Sequence, residues 1–231
     1  MTPIPTLESI HSYLCIADDW EKKGKHVRFS QSFSSALLDY LCIAVNTMDD
    51  PAASVAWLRQ QGMGKMLARY WEAVQVTSRE VDAKRLPGSV LVQSYDVFAH
   101  LSWCLGDYAV GEKFVTILGH SEVVALSTQF WCEYGRGMRA LVCGESYIPV
   151  ELKLSGLEKH WMTYLKLIEA VCANQPLDPA MGEIDRMFHA RNADKRIKQD
   201  RFQIEGNGED PVRWDYRREG LVNYIKHRAS T

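Results

Sequence analysis

The stretch QSFSSALLDYLCIAVNTM, residues 31–48, decides the fold class. Phe33, Leu37, Tyr40, Leu41, Ala44, Val45 and Met48 recur at steps of three and four, which gathers them on one face of an α-helix. The same stripe returns around 121–143 in Val123, Phe130, Trp131, Tyr134, Met138, Leu141 and Val142. It returns again around 155–173 in Leu157, Trp161, Tyr164, Leu165, Ile168 and Cys172. Shorter stripes run through Leu7, Ile10 and Leu14, and through Val97, Phe98, Leu101 and Leu105. The expected fold is all-α: an irregular bundle of stacked helical hairpins.

Local signals agree with the stripes. Asp50-Pro51 and Asp178-Pro179 each read as an N-cap carboxylate before a proline at the first helical position. Ser155 with Glu158 forms a capping-box pattern, and Ser121 and Asp107 are further N-cap candidates. Gly62 and Gly64 should interrupt the helical stretch between Pro51 and Gln75, since glycine costs about 1 kcal/mol relative to alanine in a helix. Leu101–Tyr108 reads as the end of one helix, a tight Gly106-Asp107 turn and the start of the next. That hairpin resembles those of tetratricopeptide-type repeats, where a small residue lets two helices cross closely. It does not recur at a period of about 34 residues, so no regular array is expected. Strand signals are confined to one short β-hairpin candidate near the C-terminus, Arg201–Ile204 returning through Val212–Trp214.

The whole chain, 1–231, reads as a single helical domain, with a charged segment from about 183 to 231 packed on the helical body. A net charge of −2 supplies no field to attract nucleic acid or an anionic membrane. No apolar run reaches the roughly 18 residues of a membrane helix, and no basic-then-apolar leader opens the chain, so a cytoplasmic location is expected. Six scattered cysteines, none in a C-x-x-C pair, are expected to be mostly buried free thiols.

Catalytic signatures are missing from the sequence. His100 and Cys104 stand four apart, so both could face one metal on a helix, but no second close His/Cys pair completes four ligands. There is no nucleophile elbow, zincin motif or phosphate loop. No catalytic residue, metal or cofactor is expected. Asp185, Asp194, Asp200 and Glu205 could hold a divalent cation or act as an acid/base pair, but the three aspartates each adjoin a basic residue and Arg201 lies four positions before Glu205, which suggests mutual neutralisation.

The segment above background is Asp185–Arg218. From Glu183 to Arg228 there are eleven Lys/Arg against nine Asp/Glu, a mixture suited to a specific polar interface. Arg191, Asp194, Asp200, Trp214 and Asp215 are the partner-binding candidates, with Trp214 and Tyr216 as anchors and the arginines as bidentate donors. The plainer alternative is a salt-bridged corner that pins the tail to the body.

The run Phe188, Arg191-Asn192, Asp194, the tripeptide Ile204-Glu205-Gly206 and the run Trp214-Asp215-Tyr216-Arg217, on an all-helical body rich in Trp and Tyr, resemble bacterial immunity proteins of polymorphic-toxin and type VI secretion systems. The resemblance implies a small cytosolic antidote with no chemistry of its own, which binds one cognate protein toxin and blocks its active site. Two other readings stay open. One is a helical-hairpin adaptor holding a peptide in a groove, suggested by the Leu105–Tyr108 turn, and the other is an enzyme whose site assembles only in the fold.

Overall fold

A computed structural model describes residues 5–48, 50–82, 88–118, 129–152, 161–193 and 216–230. Among these residues it holds ten helices and no strand: α1 (Leu7–Lys22), α2 (His26–Thr47), α3 (Pro51–Gln60), α4 (Met63–Asp82), α5 (Gly88–Cys104), α6 (Tyr108–Leu118), α7 (Gln129–Cys143), α8 (Trp161–Cys172), α9 (Asp178–Ala193) and α10 (Tyr216–Ser230). The β-hairpin candidate at 201–214 lies outside the described residues, as do Ser121, Ser155 and Glu158. No described helix is long and apolar enough to cross a membrane.

Helix ends follow from local chemistry. Asp50 caps α3 by accepting a hydrogen bond from the Ala53 N–H at 2.9 Å. Gly62, at φ +78°, separates α3 from α4 in a conformation an L side chain resists. Asp178 differs from expectation: α9 begins at Asp178 itself, and the Met181 N–H bonds the Leu177 carbonyl at 2.9 Å. The carboxylate therefore lies in the first turn, where it still faces the positive end of the helix. The start of α1 carries a box the sequence reading missed, Thr6 and Ser9 each accepting from the other's backbone N–H at 3.1 Å.

The hairpins stack around α2 and α5. α1 packs on α2, α2 on α3, α4 and α5, and α6 on both α5 and α7. α8 then packs between α7 and α9, and α10 returns to lie on α5. Every side chain of α5 from Ser94 to Cys104 is buried, so this helix is the axis of the body. Around it Phe98, Phe114, Trp71 and Tyr95 form one aromatic cluster, with the Phe98 and Phe114 centroids 4.0 Å apart.

Close approach to α5 depends on two glycines. The α5–α6 turn closes with Asp107 N–H on the Ser102 carbonyl and Gly106 N–H on the Trp103 carbonyl, a Schellman ending with Gly106 at φ +77°. The close crossing itself comes a turn later: a Cβ on Gly111 of α6 would collide with the indole of Trp103. On α10, a Cβ on Gly220 would stand 2.6 Å from Nδ1 of His100.

The thiols require a correction. All six cysteines are free, but only Cys42 and Cys104 are buried; Cys132 and Cys172 are half-buried, and Cys15 and Cys143 are exposed. Cys15 sits on the outward face of α1, and Cys143 is the last residue of α7, so apolar sequence neighbours did not translate into burial at either position.

Because the Trp103 indole is also stacked on Tyr224 of α10, Gly111→Ala should overpack the crossing. It should lower stability by about 2 kcal/mol in a denaturant titration. A variant with unchanged stability would show that α6 can shift away from α5.

Candidate interaction surface

Two polar clusters stand out, one sealed in the core and one holding up the surface. The sealed cluster begins on α5, where Asp96 and His100 lie one turn apart and both are fully buried. His100 Nε2 is 2.7 Å from the Tyr134 hydroxyl of α7 and 3.3 Å from Asp96 Oδ1. Arg217 of α10 meets Asp96 Oδ2 at 2.7 Å, with its guanidinium 5.4 Å from the centroid of the Trp131 ring. Burial and the nearby Asp96 charge push the Tyr70 hydroxyl up to about 12. Burial, reinforced by Glu219, also raises the Cys104 thiol, so it stays protonated and poorly nucleophilic. His100, the sequence's metal-ligand candidate, thus faces a carboxylate and a phenol within a packed core. Among the described residues no group of three His, Cys, Asp or Glu side chains could hold a metal ion.

The surface cluster holds the non-helical segment Glu145–Leu152 that follows α7. Glu133 of α7 is buried and charged. Burial alone would raise its carboxyl, but Arg136, the Val150 N–H and the Tyr147 hydroxyl outweigh it and hold Glu133 below the ordinary carboxylate range. Arg136 binds it in bidentate fashion at 2.5 and 3.1 Å. Oε1 also accepts from Tyr147 at 3.0 Å and from the Val150 N–H at 2.9 Å. Arg136 donates in turn to the Ile148 carbonyl at 2.7 Å. Tyr147 is buried beneath the segment, flat against Gly137, where an added Cβ would stand 2.8 Å from the ring.

The clamp turns two large apolar side chains outward. Ile148 is 75% exposed and Val150 54%, and Ile148 is the most exposed large hydrophobic among the described residues. Pro149 restricts the Ile148 backbone to extended conformations, which stiffens the segment from within. The result is a rigid apolar knuckle on the surface of a helical protein.

The five partner-binding candidates fall elsewhere. Arg191 is on α9, with its side chain outside the described residues; Asp194, Asp200, Trp214 and Asp215 lie outside them altogether. Arg217, from the same charged segment, is in the core, so at that position the pinned-tail alternative holds. Sequence reasoning missed the knuckle, although Gly144 followed by Tyr-Ile-Pro-Val marks a helix end running into an apolar, proline-stiffened loop. Clefts also open among the described residues. One of about 590 Å³ lies between the ends of α7, α8 and α10, and one of about 340 Å³ lies between α2, α3, α9 and α10. Arg228 lines the first and donates to the Leu141 carbonyl.

Comparison with known proteins finds no matching family model, no matching curated protein and no matching solved structure.

Two carboxylates titrate in opposite senses. Glu133 has a lowered folded-state pKa, so its contribution is complete above the unfolded value of 4.5 and fades as pH falls through the folded value. Glu133→Ala should therefore cost about 2 kcal/mol at pH 7, with the gap to wild type narrowing toward pH 3 in urea titrations. Asp39 on α2 has no hydrogen bond or ion pair among the described residues, and burial raises it from 3.8 to about 6. Its contribution is complete below 3.8 and is lost as pH rises through 6. Asp39→Asn should gain about 1 kcal/mol on wild type at pH 7.5 and nothing at pH 3.5; an equal effect at both values would contradict this assignment.

Proposed function

We propose that this chain is an immunity protein, an antidote that binds a cognate bacterial protein toxin and silences it by occlusion. The observation that carries this reading is the clamped knuckle, in which a buried, fully bonded carboxylate keeps Ile148 and Val150 exposed. Large apolar side chains gain nothing for a free protein in water. Fixed in place, they bind a partner without the entropy cost of ordering a loop. The resemblance of the charged C-terminal run to immunity proteins points in the same direction, and on this reading the site of action is the cytoplasm. A peptide-holding adaptor built on the Leu105–Tyr108 turn fits less well. Trp103 beside that turn is stacked on Tyr224 of α10, with centroids 4.2 Å apart, so the chain's own last helix fills that face.

The test is co-expression with, and binding to, a toxin encoded beside the gene. Ile148→Asp should weaken the complex at least a hundredfold, about 2.7 kcal/mol, while leaving the thermal melt unchanged. Alanine variants of Arg191, Asp194, Asp200, Trp214 and Asp215, measured alongside, report on the charged segment as a second contact. If Ile148→Asp binds normally, the interface is not the knuckle. If the wild-type chain neither binds nor protects against any such toxin, the antidote reading fails.

A further inference from the structure

The sequence carries the spacing His-x-x-x-Cys twice, at His11–Cys15 and at His100–Cys104. The second pair is sealed in the core, out of reach of an ion from solution. The first is the reverse. His11 and Cys15 stand one turn apart on the outward face of α1, and both are exposed. Cys15 Sγ lies 3.6 Å from His11 Nε2, because side chains four residues apart on a helix are neighbours.

Without a metal, a contact of this length is an S–H···N hydrogen bond. The same separation is also the edge of a coordination tetrahedron. With a Zn–S bond of about 2.3 Å and a Zn–N bond of about 2.0 Å, the S···N distance across one tetrahedral ion is about 3.6 Å. An ion can therefore take the place of the thiol proton without driving the two donor atoms apart. The acids on the following turn do not compete for either residue: Asp18 is held by Arg69 of α4 and Asp19 by Lys23, each at 2.5 Å. No third His, Cys, Asp or Glu joins the pair among the described residues.

We propose that His11 and Cys15 form an open, two-ligand surface site for a thiophilic divalent ion, Zn²⁺ above all. Thiolate and imidazole together select zinc over magnesium or calcium, which prefer oxygen. Binding is an exchange. The metal–sulfur bond forms as the thiol proton leaves to solvent, and Nε2 gives its lone pair while Nδ1 carries the ring proton. Two positions of the tetrahedron remain for water or for donors from another molecule. That is the coordination of a zinc that accepts an incoming ligand, whereas a purely structural zinc has all four positions filled by protein.

Cobalt(II), which adopts the tetrahedral geometry of zinc and absorbs light, is the probe. Titrated into the reduced full chain, purified without a polyhistidine tag, Co²⁺ should raise a thiolate-to-cobalt charge-transfer band that saturates at one equivalent. Zn²⁺ added afterwards should bleach it. Cys15→Ser should abolish the band, and His11→Gln should raise the Co²⁺ dissociation constant at least tenfold, with the thermal melt of the metal-free protein unchanged in both. Cys143→Ser, which removes the other exposed thiol, should leave the band as in the wild type. No band in the wild type, or a band that survives Cys15→Ser, would overturn the site. Wild-type affinity in His11→Gln would show a thiol acting without the imidazole and would overturn the pair. The wild-type titration needs no variant, so the outcome stands even where a substitution disturbs folding.

Discussion

The buried Asp96–Arg217 contact constrains the rest of the structure. A fully buried carboxylate on the central helix is costly unless a cation meets it. The cation that meets it comes from the last helix of the chain. Breaking a buried pair by removing one partner costs about 3–5 kcal/mol. The contact therefore fixes where α10 lies along α5, and that register brings Gly220 over His100 and Tyr224 onto Trp103. A slide of one turn would carry a side chain into the imidazole and separate Arg217 from Asp96.

Steric fit and charge act together here. α5 carries its bulkiest groups, His100 and Trp103, toward the helices that cover it, and those helices answer with glycine at the point of contact. The same rule applies at the surface, where Gly137 leaves room for the Tyr147 ring and Glu133 receives its hydroxyl. In each case a missing side chain on one element makes space for a polar aromatic or imidazole group on another. The Tyr147 hydroxyl and His100 Nε2 each have a hydrogen-bond partner beyond the gap, Glu133 and Tyr134.

The all-α fold was legible because amphipathic periodicity is a local property: Phe33 to Met48, Phe130 to Val142 and Tyr164 to Cys172 each declare a helix within a few turns. The Asp50 cap and the Gly62 break are local as well. Pairings set by the tertiary fold were not legible. Nothing near Asp96 in sequence indicates Arg217, and the Glu133 clamp joins residues up to seventeen positions apart across a helix end. Charge density drew attention to Asp185–Arg218, yet density does not distinguish an arginine that faces a partner from one that faces the core, and Arg217 is of the second kind. Cysteine burial was misjudged for a related reason. Apolar neighbours in sequence surround a helical residue on every side, while exposure depends on which side it occupies.

The clamp separates the residues that build the knuckle from those displayed on it. Glu133, Arg136 and Tyr147 are bound into the body, whereas Ile148 and Val150 project into water and support nothing beneath them. Positions of the second kind can change identity with little effect on folding, since surface substitutions away from structural features usually lie within about 0.5 kcal/mol. A lineage carrying this scaffold can therefore exchange one displayed pair for another and keep the same architecture. Variation across its descendants should concentrate at two positions within a motif that otherwise stays fixed.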